Sequence, residues 1–326
     1  MMKRIKFAVV GTNFISDNFA NAVSMTERAE ISAVFSRKLH TGAAFAQKHG
    51  IKKVYTDYKE MLSDGEIDAV YVASPHLCHA EQTVLALDFG KHVLCEKMIA
   101  ADLDGFLAQK AACIRSGKVL LEAMRPNFDP ALEAIKSALP KIGKVRRASL
   151  EYCQYSSRYD RFKNGEVLNA FDPKMKNTAL ADIGIYPLEV CISLFGAPSS
   201  VSASSIFLSN GFEGAGNITL TYDGMYADIS YSKISESVNP SVIEGEDGSL
   251  TFDKLNGPSY ITLHLRGNEP ISLDYHPLQN NMVYEIEAFC DMVGGVLSFN
   301  PYLEVSETAS RVVDEAYKIT GADKYF

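Results

Sequence analysis

The chain has 326 residues, 47% of them hydrophobic and 22% charged, with a formal net charge of −8 at pH 7. This is the composition of an ordinary globular protein long enough for two domains, and it excludes a disordered chain. The lack of a basic excess argues against a nucleic-acid partner, which needs cations to displace phosphate counterions.

The N-terminal run MMKRIKFAVVG is too short for a signal peptide and stops at Gly11. From there, strand-like and helix-like segments alternate through the first 125 residues: IKFAVVG, then a helix over NFISDNFANAVSM; ISAVFS, then a helix over LHTGAAFAQKHG; IDAVYVASP, then a helix over LCHAEQTVLALDFG; KHVLCEK, then a helix over DLDGFLAQKAACIRSG; and KVLLEAMR. Continuous apolar strands between amphipathic helices predict a parallel sheet covered on both faces, a Rossmann-type α/β domain over residues 1–124. After residue 140 the pattern changes. KVRRASLEYCQYS reads as a long strand, a polar loop runs to about Asn177, and one helix lies near Pro187 to Leu194. Short strands punctuated by Gly, Asn and Asp follow to His276, and two helical stretches end the chain. This is a second, α+β domain over 125–326 with a large, mostly antiparallel sheet, its last helices packing back on the first domain. The six cysteines are scattered without a Cys-x-x-Cys pair and read as free thiols in a reducing compartment. No stretch approaches the ~20 apolar residues of a membrane span. The expectation is a cytoplasmic protein with no membrane partner.

The loop after the first strand is Gly11-Thr12-Asn13-Phe14-Ile15-Ser16, which keeps one of the three glycines of a dinucleotide fingerprint. Gly11 supplies the tight turn, Asn13 tolerates a glycine-like backbone, and the N–H groups of residues 12–15 would face a pyrophosphate at a helix N-terminus. An ordinary strand–helix turn is the competing reading. An acid at the end of the second strand would hold the ribose of NAD. This chain places Ser36, Arg37 and Lys38 there, and no Asp or Glu occurs between Ile31 and Thr56. Two cations and a hydroxyl suit the 2′-phosphate of NADP, with NAD as the lesser possibility. A solvated basic turn is the alternative.

The segment ASPHLCHAEQTVLALDFGKHVLCEKMIA resembles the signature of the Gfo/Idh/MocA family, the glucose–fructose oxidoreductase and inositol dehydrogenase group. The matching residues are Ser74-Pro75, His76, His79, Gly90-Lys91-His92-Val93 and Glu96-Lys97-Met98. The departures are His76 for Asn and Met98 for the Pro that shapes the turn after the lysine. The resemblance extends over the whole chain. It implies an open-faced second sheet and a homodimer or tetramer formed through it, an arrangement that would shield a broad sheet face from water. It also implies that Lys97 lies beside the nicotinamide and the substrate hydroxyl, with Glu96 orienting it or contacting the nicotinamide ribose. A desolvated ammonium there can polarise an oxygen or lower a neighbour's pKa. His79 would stand at the helix start near the cofactor, and His76 on the nicotinamide side.

The family's second motif is met by Asp182 and Gly184 in TALADIGIYPLEV, with Tyr186 in place of its His, as in a subset that includes the dimeric dihydrodiol dehydrogenases. Four residues apart, Asp182 and Tyr186 would share one side of a helical turn, and Pro187 requires that helix to begin nearby. The resemblance implies hydride transfer between the nicotinamide and a carbinol carbon of a sugar, polyol or cyclic diol. Tyr186 would shuttle the proton, Lys97 support it, and Asp182 position the substrate or the lysine. No metal is needed, and the spacing of His76, Cys78, His79 and Cys95 is not a zinc pattern. Glu189 is read as structural before substrate-contacting, and Arg125 with Asn127, and Arg158 with Tyr159 and Arg161, as structural or solvent-facing sets before lining a pocket for polyols or sugars. The competing function is a non-catalytic, dinucleotide-sensing regulator of the same fold. Lys97, Asp182 and Tyr186 together favour the enzyme, because a sensor needs none of them. A cofactor held permanently between two substrates is a third reading, and no arm that would lock it in is visible.

Overall fold

The computed structural model describes residues 4–296 and 300–326. Residues 1–3 of the basic N-terminal run lie outside them. The chain divides into two compact units, one built from residues up to Arg125 and from Leu278–Glu304, the other from Pro126–Pro277 and Val305–Phe326.

The first unit runs β1 (Ile5–Val10), α1 (Phe14–Ser24), β2 (Ala29–Phe35), α2 (Leu39–His49), β3 (Lys53–Tyr55), α3 (Tyr58–Ser63), β4 (Ala69–Val72), α4 (His79–Asp88), β5 (His92–Glu96), α5 (Leu103–Ser116) and β6 (Leu120–Ala123). The six strands are all parallel, in the order β3-β2-β1-β4-β5-β6. Every residue of β4 and β6 is buried, as a sheet covered on both faces demands. The order reverses at β1, between β2 and β4, which opens the ligand crevice at the carboxyl ends of β1 and β4. β3 and α3 had no counterpart in the sequence reading, since three strand residues and six helical ones carry too little periodicity.

The second unit begins with α6 (Pro130–Ala138), capped by Asp129 and started by Pro130. It continues through β7 (Val145–Cys153), α7 (Tyr159–Lys163), α8 (Ile185–Phe195), β8 (Ser200–Phe207), β9 (Glu213–Tyr222), β10 (Met225–Ser232), β11 (Ser241–Gly245), β12 (Gly248–Phe252), β13 (Ile261–Leu265) and β14 (Ile271–Ser272). The chain ends with α9 (Met282–Val293), which packs on α1 in the first unit, and α10 (Pro301–Thr320). The second sheet has the order β14-β13-β12-β11-β7-β10-β9-β8 and is antiparallel except for the β7–β10 pair.

One face of that sheet carries Leu150, Ile218, Leu220, Ile229, Ile243, Leu250 and Leu263, all fully or almost fully buried, and α8 packs against β7 and β10. The register puts Arg147, Asn217, Thr219, Asp228, Ser230, Glu244, Thr251 and His264 on the opposite face. There they bond across strands, as in Thr219–Asp228 at 2.9 Å and Arg147–Glu244 at 3.2 Å. The open face is therefore mostly polar, although Tyr226 and Val242 also lie on it.

α8 begins at Ile185, near Pro187 as expected, and follows directly on a π-helical turn, Leu180–Gly184, that was not expected. The Ile185 N–H reaches back to Leu180 O, five residues away. The expectation that nothing approaches a membrane span is corrected: the stretch Pro173–Phe195 is long and apolar enough. It is 78% buried inside the fold, as the core helix of a globular unit would be.

Candidate functional site

In the first unit, the loop after β1 needs its glycine. Gly11 has φ +107, and a Cβ there would lie 2.5 Å from Ala73 O. Asn13 does not stand in for a second glycine, since its backbone is extended. It caps α1 instead, its Oδ1 accepting from Ile15 N–H at 3.0 Å and Ser16 N–H at 3.2 Å, while its Nδ2 donates to Ala73 O at 2.8 Å. One side chain thus closes the β1 loop onto the end of β4. The Ile15 N–H is taken inside the loop, so an anion at this helix start would meet the N–H groups of Thr12, Asn13 and Phe14. The Phe14 side chain is 70% exposed beside them.

At the end of β2, Ser36 is buried and its hydroxyl lies 2.5 Å from Thr41 Oγ1. Arg37 and Lys38 are exposed at the start of α2, and neither forms an ion pair among the described residues. Two unneutralised cations at a helix N-terminus, on the carboxyl edge of a parallel sheet, fit a phosphate. Gly42 lets α2 approach the sheet, since a Cβ there would press on Val54 at 2.8 Å. The residues present fit a dinucleotide with a phosphorylated ribose.

Lys97 follows β5, and the Lys97–Met98 peptide bond is cis. The next residues are pinned from several sides. His79, 2% exposed, sets Nδ1 2.8 Å from Met98 O and Nε2 3.0 Å from Ser74 O. His76 Nε2 lies 3.1 Å from Ala100 O. Glu122 accepts from Ile99 N–H at 2.7 Å, and Gln109 donates to Ile99 O at 2.8 Å. His76 and His79 therefore hold the turn that carries the lysine. Burial holds the His79 pKa below its ordinary value, so the ring is neutral and donates to only one of its two carbonyls. Ser74 and Pro75 begin the segment, Ser74 half-buried and Pro75 exposed.

Glu96 is turned inward. It accepts from the Tyr71 hydroxyl at 2.5 Å and from the Lys97 N–H at 3.3 Å. Burial pushes its carboxyl up, against the Tyr71 hydroxyl, the Lys97 ammonium and the Arg125 guanidinium. Glu285 of α9 is fully buried with neither carboxylate oxygen hydrogen-bonded, and burial, then the charge of Glu96, pushes it well above the carboxylate range. Burial and the charge of each carboxyl on the other thus disfavour ionising both members of the pair. The sequence reading missed Tyr71, Glu122 and Glu285. Glu285 had a signal, for it sits on the apolar stripe of α9 between Met282 and Phe289.

In the second unit, Asp182 lies in the π-turn and Tyr186 in the first turn of α8. Gly184 is required between them, because a Cβ there would lie 2.7 Å from the Tyr231 ring. Asp182 Oδ2 is 2.9 Å from the ammonium of Lys233, a buried lysine that the sequence reading did not single out. Tyr186 is 6% exposed, its ring 5.5 Å from that of Tyr152. Tyr152 lines a cavity of about 500 Å³ together with Glu151, Gln154, Glu236, Asn239 and Asn256. Glu189 is buried and accepts from Asn127 at 2.8 Å, a structural role. Arg161 pairs with Glu166 on the surface.

Residues 5–124 match the oxidoreductase family with an NAD-binding Rossmann fold, and residues 135–251 match the GFO/IDH/MocA C-terminal domain. The chain is 40% identical over 319 residues to the scyllo-inositol 2-dehydrogenase (NADP+) IolU of Bacillus subtilis, covering 97% of each chain. It is 27% identical over 331 residues to the trans-1,2-dihydrobenzene-1,2-diol dehydrogenase of Mus musculus, again covering 97% of each. The solved aldose–aldose oxidoreductase of Caulobacter crescentus shares the fold, with a TM-score of 0.86 over 98% of both chains at 19% identity. Matched along both units and by a relative of this identity over nearly its whole length, the chain belongs to the Gfo/Idh/MocA family of oxidoreductases.

Proposed function

We propose that the protein is an NADP-dependent dehydrogenase that oxidises a secondary hydroxyl of a cyclic polyol, of which scyllo-inositol is the first to test. The observation that carries this reading is the pinned turn at the end of β5, which presents an ammonium at the carboxyl edge of a dinucleotide-binding sheet. The relative named as a scyllo-inositol 2-dehydrogenase (NADP+) supports the substrate class and the cofactor. Arg37 and Lys38 support NADP over NAD.

Gly11, Thr12, Asn13 and Phe14 would hold the pyrophosphate, and Ser36, Arg37 and Lys38 the ribose 2′-phosphate. Ser74, Pro75 and His76 would border the nicotinamide. When bound, the nicotinamide supplies the hydride acceptor. Tyr186 Oη takes the proton of the substrate hydroxyl, Lys97 stabilises the charge that develops on that oxygen, and Asp182 orients the polyol. The side chains of Glu151, Gln154, Asn239 and Asn256 give the cavity the donors and acceptors that a ring of hydroxyls needs. Association through the second sheet belongs to the same reading, by hydrogen bonds and charges across the polar face, and sedimentation would test it.

Titration with NADPH and with NADH, followed by nicotinamide fluorescence, tests the cofactor. Tight NADPH binding with NADP+-dependent oxidation of scyllo-inositol is the expected result. Binding of neither nucleotide would overturn the reading.

A further inference from the structure

Lys233 stands one residue beyond β10, 3% exposed, with its ammonium inside the second unit. Its Nζ lies 2.9 Å from Asp182 Oδ2 and donates to Ala170 O at 2.8 Å. It also sits over the rings of Phe171 and Phe212, 5.2 and 5.1 Å from their centroids. Glu213, also buried, accepts from Leu180 N–H and from the hydroxyls of Ser205 and Tyr231.

A buried ammonium is stabilised by an anion against it, and removing one partner of a buried pair is costly. The Asp182 side chain, 31% exposed, is an anion at 2.9 Å. Protonating Asp182 would remove that attraction, so the pair resists the proton uptake that a general base must undergo. The flat faces of Phe171 and Phe212 add cation–π attraction and limit the rotamers of the lysine stem.

We propose that Lys233 is a positioning residue that keeps Asp182 a fixed anion, so that Asp182 accepts a hydrogen bond from the polyol while the proton transfer falls to Tyr186. The proposal rests on the reading that Asp182 meets the substrate. The same ammonium, through Ala170, ties the preceding loop to the turn that carries Asp182.

The test follows the side-chain carboxyl carbon of Asp182 by NMR across pH, its signal assigned with Asp182→Asn, in the wild type and in Lys233→Met. The Met stem keeps the packing on both rings and removes the charge. The expected result is no titration step above the ordinary aspartate range in the wild type and a midpoint raised by at least about one pH unit in the variant. An unchanged midpoint would overturn the proposal. So would a wild-type Asp182 that titrates above that range, a result available even if Lys233→Met does not fold. With NADP+ and scyllo-inositol, Lys233→Met should lower kcat/KM by about ten- to a hundredfold at unchanged NADPH affinity, and Lys233→Arg should restore much of it. The loss should not add to that of Asp182→Asn, and full additivity would reduce Lys233 to a structural role. If the wild type turns over no polyol yet the midpoint shifts, the proposed substrate fails and the ion pair stands.

Discussion

Lys97 owes its place to other side chains. His76, His79, Glu122 and Gln109 hold residues 98–100 by their backbone, and Tyr71 holds the neighbouring Glu96. Truncating the lysine should therefore leave this frame and the nucleotide loops standing. Lys97→Ala is expected to lower turnover by on the order of 10²–10³-fold with little change in NADPH affinity; unchanged turnover would remove Lys97 from the chemistry. Arg37→Ala should weaken NADPH by about 1.5–3 kcal/mol and NADH much less, because only NADPH carries the phosphate that the guanidinium would meet. Equal losses by fluorescence titration would return Ser36-Arg37-Lys38 to a solvated turn.

His92 gives a pH prediction. Its Nδ1 accepts the Val119 N–H at 3.0 Å, and burial, then the charge of Lys118, lowers its pKa to about 4. The unfolded chain binds a proton near the ordinary value of about 6.5. The folded state refuses it until about pH 4, so stability is full above the unfolded value and falls as the pH drops through that window. His79, also lowered by burial, acts in the same direction. Denaturant unfolding of His92→Gln should show a shallower loss between pH 6.5 and 4 than the wild type, and identical slopes would contradict this account. Gly11 was legible from its place after the first strand, where the turn needs a glycine, and Lys97, Asp182 and Tyr186 were singled out by resemblance to the family's motifs. Lys233 was passed over, because only the fold supplies the partner that makes its burial meaningful.

Elements announced themselves in proportion to their periodicity. The long helices and the buried strands of the first unit, read from continuous apolar runs, lie close to where the sequence put them. α6 was passed over although Asp129-Pro130 is a helix start and Leu132 and Ile135 are buried. It lies where one pattern gives way to another, and nine residues gave too little repeat to stand out. Ile135 is 3% exposed, so Ile135→Ala should destabilise the second unit by about 2–5 kcal/mol. A shift within experimental error in thermal unfolding would mean that α6 is not part of that core. The π-turn was illegible for another reason. A single five-residue reach-back leaves the 3.6-residue pattern almost intact, whereas the helix start near Pro187 was readable because proline fits only the first turn.

At the scale of the molecule, the fold class was readable from the change of pattern after residue 140, whereas the character of the open sheet face was not. That face depends on which strand residues align, and register comes from pairing that spacing alone does not fix. The path of the chain carries the last consequence. The Phe289 ring of α9 packs against Phe7 of β1 at 5.3 Å, and Arg28 pairs with Glu287 and Asp291. The nucleotide unit is thus begun before residues 126–277 of the second unit are made and finished after them. Until α9 emerges, β1 and α1 lack a wall, and residues 126–277 of the second unit must be synthesised in between. Nascent chains arrested at Pro277 should leave the first unit open to protease and unable to retain NADPH, whereas chains extended past Glu304 should be protected. Protection already complete at Pro277 would show that the nucleotide unit matures without its returning helix. The interrupted path makes cofactor binding a signal that the intervening sheet has already been synthesised, since a chain that stops short of α9 has no complete place to put it.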